Sequence, residues 1–247
     1  DPALNQTPAN AFFTFDAPGD YPFTFKVMNA AGNVAEQPFT LQIRADTLPA
    51  GNRFVAVGNL NAATPFNTWA TAASTIRDAV AAADADDLIQ VAPGWYRATQ
   101  NPVILLDRPV RLRGVGGPRQ VSVDGQNVRR LVETHADLGT GRIDLYGFAF
   151  RNGLGNDQGG ALRLVHFGPG SVIGNSIIRD SAVNNWGGGV IVTLGSAGQD
   201  ILLEHCVIQN NRSTWGGGLL LYHTPRSAHL RNCLIVDNVA TGTGYGG

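Results

Sequence analysis

Short apolar runs separated by polar turns recur along most of the chain, and they predict strands rather than helices. Residues 21–27 alternate apolar and polar side chains with a period of two, as a half-buried strand does, and residues 39–43 predict another strand. A cluster rich in Asn, Ala and Gly at 29–33 predicts the turn between them. Residues 1–46 therefore predict a small β module, and residues 47–53 a linker.

An internal repeat occupies the second half of the chain. Four segments, FAFRNG, SIIRDS, CVIQNN and CLIVDN, superpose without gaps at 148–153, 176–181, 206–211 and 233–238. Each is followed by a glycine run, and the runs end 29 residues apart, at Gly160, Gly189, Gly218 and Gly247. Regular self-similarity at this period indicates a solenoid whose repeats stack. Because each repeat holds two or three short strands and no helix, the fold class predicted is all-β, a β-solenoid.

One segment has the apolar spacing of a helix. Apolar residues recur at i, i+3, i+4 and i+7 within 74–84: Ile76, Ala79, Val80 and Ala83. Ser74 or Thr75 can cap the helix N-terminus. We expect this helix to cover the open first coil of the solenoid, where strand edges and core would otherwise meet water.

The order of these motifs resembles the right-handed parallel β-helix repeat proteins of bacterial surfaces. TWATAASTIRDAVAAADADDLIQVAPGWY at 68–96, NNWGGGV at 184–190 and STWGGGL at 213–219 carry the resemblance, which spans 54–247. The Gly-Gly-[Ala/Gly]-aliphatic element also resembles the repeats of chlamydial polymorphic membrane proteins. The resemblance implies a right-handed parallel β-helix with coils over about 88–247 and an extracellular or cell-surface location. It implies no single activity, because binders, adhesins and polysaccharide enzymes share this scaffold.

The N-terminal stretch APGDYPFTFKVMNAAGNVAEQPFTLQI, at 17–43, resembles the closing hairpin of a bacterial Ig-like or PKD-type surface module. That resemblance implies a spacer role. Such a sandwich needs about seven strands, so we expect the module to be cut or to be completed by another chain. The last repeat likewise stops at Gly247, where the next apolar strand should begin, and we expect the chain to continue or another copy to cover the open coil.

Composition agrees with strands and turns. The chain has 31 Gly, 13 Pro and 19 Asn but one Lys and three Glu, so good charged helix formers are scarce. A helical bundle or coiled coil is excluded, since both need Glu and Lys on their solvent faces. The net charge of −1 gives no electrostatic case for nucleic acid. No apolar run approaches the ~20 residues of a membrane span.

One polar position recurs in every repeat: Asn152, Asp180, Asn210 and Asp237. Metal binding or acid catalysis is one interpretation. The other, which we favour, is a structural turn ladder whose stacked side chains hydrogen-bond along the solenoid and accept a left-handed backbone. Asp180 and Asp237 should lie two coils apart, roughly 10 Å, which is too far to share one Ca²⁺ and suits an inverting glycosidase pair only marginally. The sequence predicts no catalytic residue, no metal site and no cofactor.

The best binding-site candidate is aromatic. Trp186 and Trp215 each precede a glycine triplet, and Gln158 and Tyr245 stand at the same step of their repeats. Stacked in register, Trp186, Trp215 and Tyr245 would form a strip on which sugar rings could lie, with a spacing near 4.8 Å. The alternative is an aromatic ladder that packs against the turns and shields glycine-rich backbone.

Two further pairs recur one coil apart. Arg151 and Arg179 could hold a carboxylated sugar or act as the base of a lyase, but a solvated ladder is the simpler interpretation. Cys206 and Cys233 are expected to be small buried thiols, because parallel Cβ vectors make a disulfide between them awkward.

These observations lead to two hypotheses from different classes. The first, which we favour, is a non-enzymatic surface protein, a stalk, adhesin or filament module with a polysaccharide or cell-surface glycan as its candidate ligand. The second is a carbohydrate-active enzyme, a lyase or glycosidase, which would need carboxylates converging on neighbouring coils. Self-association through the open coil or the incomplete sandwich is a further expectation, since exposed strand edges invite it.

Overall fold

The structure is a computed structural model that describes residues 19–43, 51–134, 138, 141–193, 200–222 and 227–242. The chain divides into two compact units, Asp1–Leu48 and Pro49–Gly247. The first 18 residues of the predicted β module, residues 47–50 of the predicted linker and Tyr245 lie outside the described residues.

The first unit contains an antiparallel hairpin. Strands β1 (Gly19–Met28) and β2 (Val34–Ile43) pair along their whole length, and Lys26 forms an ion pair with Glu36 directly across the ladder. Asn29 at the turn accepts hydrogen bonds on its Oδ1 from two backbone N–H groups. An Asn side chain that replaces a backbone acceptor in this way stabilises a turn.

The second unit is a parallel β-solenoid of about five turns, as the repeat predicts. Its strands, numbered in chain order, form three parallel sheets. Sheet I contains β3 (Asn52–Val55), β4 (Leu88–Val91), β7 (Arg111–Gly114), β10 (Asp144–Tyr146), β13 (Ser171–Gly174), β16 (Ile201–Glu204) and β20 (Ala228–Arg231). Sheet II contains β5 (Gly94–Tyr96), β8 (Val121–Asp124), β11 (Ala149–Arg151), β14 (Ile177–Arg179), β17 (Val207–Gln209) and β21 (Leu234–Val236).

Sheet III contains β6 (Ile104–Leu106), β9 (Val132–Thr134), β12 (Leu162–Val165), β15 (Val190–Thr193) and β19 (Leu219–Tyr222). The two-residue strands β18 (Arg212–Ser213) and β22 (Val239–Ala240) form a separate parallel pair. Each complete coil contributes one strand to each of the three sheets, so equivalent residues of successive repeats lie side by side.

The core is built from columns of equivalent apolar side chains. In sheet II the inward positions of three successive coils are Phe150, Ile178 and Ile208, all fully buried and in register. Burying one such side chain contributes about 1.5–3 kcal/mol. Because side chains alternate along these strands, one apolar column lies inside the solenoid and variable side chains lie outside it.

The corner that follows each of the last four sheet II strands, β11, β14, β17 and β21, has a left-handed backbone. The φ angles there are 53°, 55°, 54° and 56°, at Asn152, Asp180, Asn210 and Asp237. Asn and Asp adopt this conformation at lower cost than most residues, because their short polar side chains hydrogen-bond locally. These four residues stand at one corner of successive coils, as a turn ladder requires.

At this corner, side chains one position further along the chain also form hydrogen bonds between coils. Asn211 is fully buried, accepts a hydrogen bond from Ser181 N–H and donates to the Ile178 carbonyl, at 3.1 Å each. Asn238 stands one coil further on: its Oδ1 accepts from Asn211 N–H at 3.0 Å, and its Nδ2 donates to the Ile208 carbonyl at 2.8 Å. Asn211 and Asn238, one residue after two of the predicted positions, thus carry hydrogen bonds between coils, and the predicted Asn152 does so too, donating to Asp124 Oδ1 at 2.9 Å.

The helix α1 (Ile76–Ala81) is shorter than the predicted span 74–84. Thr75 caps its N-terminus, with Oγ1 accepting from Asp78 N–H at 3.1 Å. The helix stops because Ala83 N–H bonds the Val80 carbonyl in a tighter turn, and Asp84 N–H bonds the Asp87 carboxylate instead of a helical carbonyl. Its apolar side packs against β3, β4 and β6.

Candidate functional site

The outward face of sheet III changes character along the solenoid. Its central column of equivalent residues runs through successive coils as Leu105, Glu133, Arg163, Ile191 and Leu220. The second and third coils therefore present charge, and the fourth and fifth coils present apolar side chains. The two halves lie on one continuous sheet.

Trp186 and Trp215 lie next to each other beside the apolar half. They form a parallel bridge one coil apart, their ring centroids are 5.9 Å apart and their planes are inclined by 35°. Tyr222, at the end of β19, stacks on Trp186 with a centroid distance of 5.2 Å and an angle of 29°. We refer to Trp186, Trp215 and Tyr222 as the aromatic cluster.

Glycine lets the aromatic turns approach the sheet. Gly187 follows Trp186 with φ 68°, and a Cβ there would lie 2.8 Å from the Cβ of Ile191. Only glycine combines a low-cost left-handed backbone with the absence of that atom. Ile191 is fully buried although it stands at an outward position of its strand, so the rings and turns beside it exclude water.

The sequence located two of the three rings. Trp186 and Trp215 form the expected contact, Tyr245 lies outside the described residues, and Tyr222 was missed. The signal for Tyr222 was present: in the strand LLLY, alternation places Leu220 and Tyr222 on the same outward side. Both Trp side chains are half-buried and Tyr222 is exposed, so the cluster packs against the solenoid and still presents surface to solvent.

The charged half of the face is held by two guanidinium groups that share one carboxylate. Glu133 forms ion pairs with Arg130 and with Arg163, the latter at 2.8 Å between Oε1 and Nη1. Arg130 also donates to the backbone carbonyls of Gln158 and Gly159, at 2.7 and 3.0 Å. Arg163 Nε donates to the side-chain oxygen of Gln158 at 3.3 Å.

A cavity of about 410 Å³ joins the two halves. Its lining combines charged, hydroxyl and aromatic side chains: Glu133, Thr134, Gln158, Arg163, Val165, His166, Thr193 and Tyr222. A shallower depression of about 220 Å³, lined by Trp186, Trp215, Leu220 and Tyr222, adjoins it through the shared Tyr222. We call the two together the sheet III groove. Concave sites that pair an apolar wall with a few placed polar groups are typical of small-molecule binding.

The side chains that line the groove can bind a ligand and fix its orientation. Glu133 is the single carboxylate among the described residues that line it, and both of its oxygens are engaged by arginines. Within the described part of the chain, no three His, Cys, Asp or Glu side chains come together to hold a metal ion.

The outward face of sheet II carries a different cluster. The guanidinium of Arg151 lies 4.6 Å from the ring centroid of Trp95, and that of Arg97 lies 5.3 Å from it. Asp124 lies beside Arg151 in register but bonds elsewhere: it accepts from Asn152 Nδ2 at 2.9 Å and pairs with Arg97 at 3.1 Å. Trp95 and Asp124 thus hold two arginines in place.

Burial and hydrogen bonding shift the pKa of Asp124 in opposite directions. Desolvation by itself would raise this pKa. Hydrogen bonds from Asn152 and from the Gln126 backbone, together with Arg97, outweigh desolvation and lower the pKa of Asp124 below its ordinary value. This carboxylate therefore stays ionised, as an acceptor that organises the corner.

The structure also shows where the other residue pairs considered in the sequence analysis lie. Arg179 is in register with Arg151 one coil away and lies 3.4 Å from the Asp180 carboxylate. Asp180 and Asp237 occupy equivalent corners separated by the coil that contains Asn210. Cys206 and Cys233 are both free thiols in successive coils, and burial raises the pKa of Cys206 to about 12.

In the described residues we find no helix of the length and apolarity needed to cross a bilayer. A scan of protein-family models finds no match to this chain, and comparisons with curated proteins and with solved structures find none either.

Proposed function

We propose that this protein is a non-enzymatic, extracellular β-solenoid that binds carbohydrate in the sheet III groove. The observation that carries the proposal is the aromatic cluster, which stands beside a cavity lined by hydrogen-bonding side chains and shares Tyr222 with it. Sugar rings have an apolar face, which suits an aromatic wall, and a rim of hydroxyl groups, which suits Gln, Thr, His and Arg partners.

The groove supports binding over bond cleavage. Glycoside hydrolysis in most families needs two carboxyl groups flanking the scissile bond, about 5–9.5 Å apart. Among the described lining residues Glu133 is the single carboxylate, so the second carboxyl group that such a reaction needs is missing from this part of the groove, and both Glu133 oxygens are engaged by arginines. The alternative of a lyase or glycosidase has no comparable support.

The rest of the proposal concerns architecture. We propose that the solenoid is right-handed, that α1 covers its first coil, and that the β1–β2 hairpin belongs to an Ig-like or PKD-type spacer. The packing of α1 against β3, β4 and β6 supports the capping role. On this proposal the chain is a cell-surface stalk or adhesin whose solenoid presents the groove to a glycan.

Binding is tested with immobilised polysaccharides and isothermal titration calorimetry of wild type and Trp186→Ala. We expect the wild type to retain at least one glycan and Trp186→Ala to lose most of that affinity. Trp95→Ala is the matched control, because Trp95 is 50% exposed but lies on sheet II. Equal binding by Trp186→Ala and the wild type would remove the aromatic cluster from the proposal. Release of new reducing ends, abolished by Asp180→Ala or Asp237→Ala, would overturn the non-enzymatic assignment.

A second proposal, self-association, rests on the coil that contains β19, β20 and β21. Three inward positions there are exposed to solvent: Leu221, Leu230 and Ile235. Apolar side chains at strand edges favour pairing with further strands. Light scattering tests this proposal. An apparent molar mass that rises with concentration for the wild type, but stays at the monomer value for Leu230→Lys, supports it. A wild type that stays at the monomer value at every concentration contradicts it.

A further inference from the structure

We propose that the glycan in the sheet III groove is acidic, and that Arg163 binds the carboxylate or sulfate group of a sugar whose ring lies against the aromatic cluster. This inference rests on the proposed carbohydrate function and adds the chemical class of the ligand. It follows from the charges, the unused donors and the position of Arg163.

The charges of the groove do not balance. Arg163 and Glu133 line the groove, and Arg130, which is not a lining residue, also pairs with Glu133, so two cations share one anion at the polar end of the groove. Both arginine side chains and the Glu133 side chain are largely buried, with exposed fractions of 13%, 29% and 23%. A net positive charge in a partly desolvated cavity attracts an anion more strongly than the same charge on an open surface.

The donors of the two arginines are used unequally. Arg130 donates from Nε and from both terminal nitrogens to Gly159, Glu133 and Gln158. Arg163 donates from Nε to Gln158 and from Nη1 to Glu133, and its Nη2 has no acceptor among the residues that the structure describes. Arg163 therefore has donor capacity left for a ligand, and Arg130 serves to hold Glu133.

The position of Arg163 connects this capacity to the aromatic cluster. Arg163 is directly followed by Ile191 and then Leu220 in the outward column, one coil at a time, and its cavity is lined by Tyr222 as well. A sugar lying on Tyr222 can therefore direct an exocyclic anionic group along the column toward Arg163. Guanidinium–oxyanion hydrogen bonds are charge-assisted and stronger than those to neutral hydroxyls.

Calorimetry on matched ligand pairs tests the inference. Each pair is a uronate polysaccharide and its carboxyl-reduced neutral form, with sulfated derivatives of the same neutral backbones as a third arm. We expect the acidic member of a bound pair to bind at least about tenfold more tightly than the neutral member. Tighter binding of the uronate or of the sulfated derivative identifies which anion is recognised. Raising the salt concentration should reduce the difference in affinity between the acidic and the neutral ligands.

Variants separate this inference from the proposed function. Arg163→Gln should lower the affinity for the acidic member far more than the affinity for the neutral member, so that the preference is lost, and Arg163→Lys should restore part of the preference. Arg142→Gln, on an exposed arginine paired with Asp144 near sheet I, is the matched control. Equal affinity for acidic and neutral members in the wild type would overturn the acidic-ligand inference and leave carbohydrate binding standing. Failure of the wild type to bind any pair would overturn both.

Discussion

The indole ring of Trp186 stacks on the phenol ring of Tyr222, although the two residues belong to different coils and to different parts of a coil. Trp186 stands in the turn before β15, and Tyr222 ends β19. Their contact crosses the outward column at Ile191 and Leu220 and adds a side-chain link to the backbone ladder between these coils. The same rings form a wall of the groove, so they serve both stability and recognition.

Replacing the Tyr222 ring should weaken the contact between the two coils. We expect Tyr222→Leu to lower the free energy of unfolding by about 1 kcal/mol, since aromatic pairs contribute roughly 0.5–1.5 kcal/mol beyond their buried area. Urea unfolding followed by tryptophan fluorescence measures this change. Tyr222→Phe keeps the ring and should lose less stability than Tyr222→Leu. Equal destabilisation by Leu and Phe would assign the effect to the hydroxyl group instead of the stacked ring.

Acid should remove the stabilisation that Asp124 provides. Because the fold lowers the pKa of Asp124 below its ordinary value of 3.8, its stabilising contribution is complete above that value and is lost as the pH falls through the folded-state pKa. We therefore expect Asp124→Asn to be less stable than the wild type at pH 7 and the difference to shrink below pH 3.8. Urea unfolding at a series of pH values measures both effects.

Asp237→Asn is the control for the acid experiment. Its side chain is exposed at an equivalent left-handed corner, where Asn is equally suited to the backbone. We expect Asp237→Asn to be about as stable as the wild type at pH 7. A constant difference between Asp124→Asn and the wild type across the pH range would show that charge plays no part at position 124.

Repeat spacing predicts much of this fold, because a solenoid converts sequence period directly into spatial neighbours. Glycine runs that end at Gly160, Gly189 and Gly218 imply coils of equal length, and the structure places their strands in one parallel sheet. Alternation fails at the corners. A left-handed residue such as Asn210 changes the direction of the backbone, so the sequence does not show that the neighbouring Asn211 turns inward and carries the hydrogen bonds.

The site was only partly predictable, because its contacts cross between columns. Trp186 and Trp215 share a step of the repeat, and a repeat alignment brings them together. Tyr222 reaches Trp186 from another part of the coil, and Arg130 reaches Glu133 from the turn before β9. These lateral contacts depend on side-chain length and direction, which equivalence along the solenoid does not specify.

Only one of the two thiols should react in the native protein. Burial raises the pKa of Cys206 to about 12, so at neutral pH almost none of it is the reactive thiolate. Cys233 is partly exposed. We expect a thiol reagent at pH 7.5 to label one equivalent before unfolding and two after it, and Cys206→Ser to leave the native count at one. Two labelled thiols in the native protein would contradict this arrangement. So would the absence of labelled thiols, if treatment with a reductant restored the labelling.

Adjacent asparagines at one corner should respond in opposite ways to substitution. Asn210 provides a left-handed backbone with φ 54°, which glycine adopts without cost, so we expect Asn210→Gly to change the free energy of unfolding by less than about 0.5 kcal/mol. Asn211 is fully buried, and Asn211→Ala leaves Ser181 N–H and the Ile178 carbonyl without its amide. Each buried group left unpaired costs about 1–3 kcal/mol, so Asn211→Ala should lose at least about 2 kcal/mol. Chemical denaturation of the two variants side by side makes the comparison. A larger loss of stability for Asn210→Gly than for Asn211→Ala would show that the structural role belongs to Asn210, the position that the repeat alignment favours.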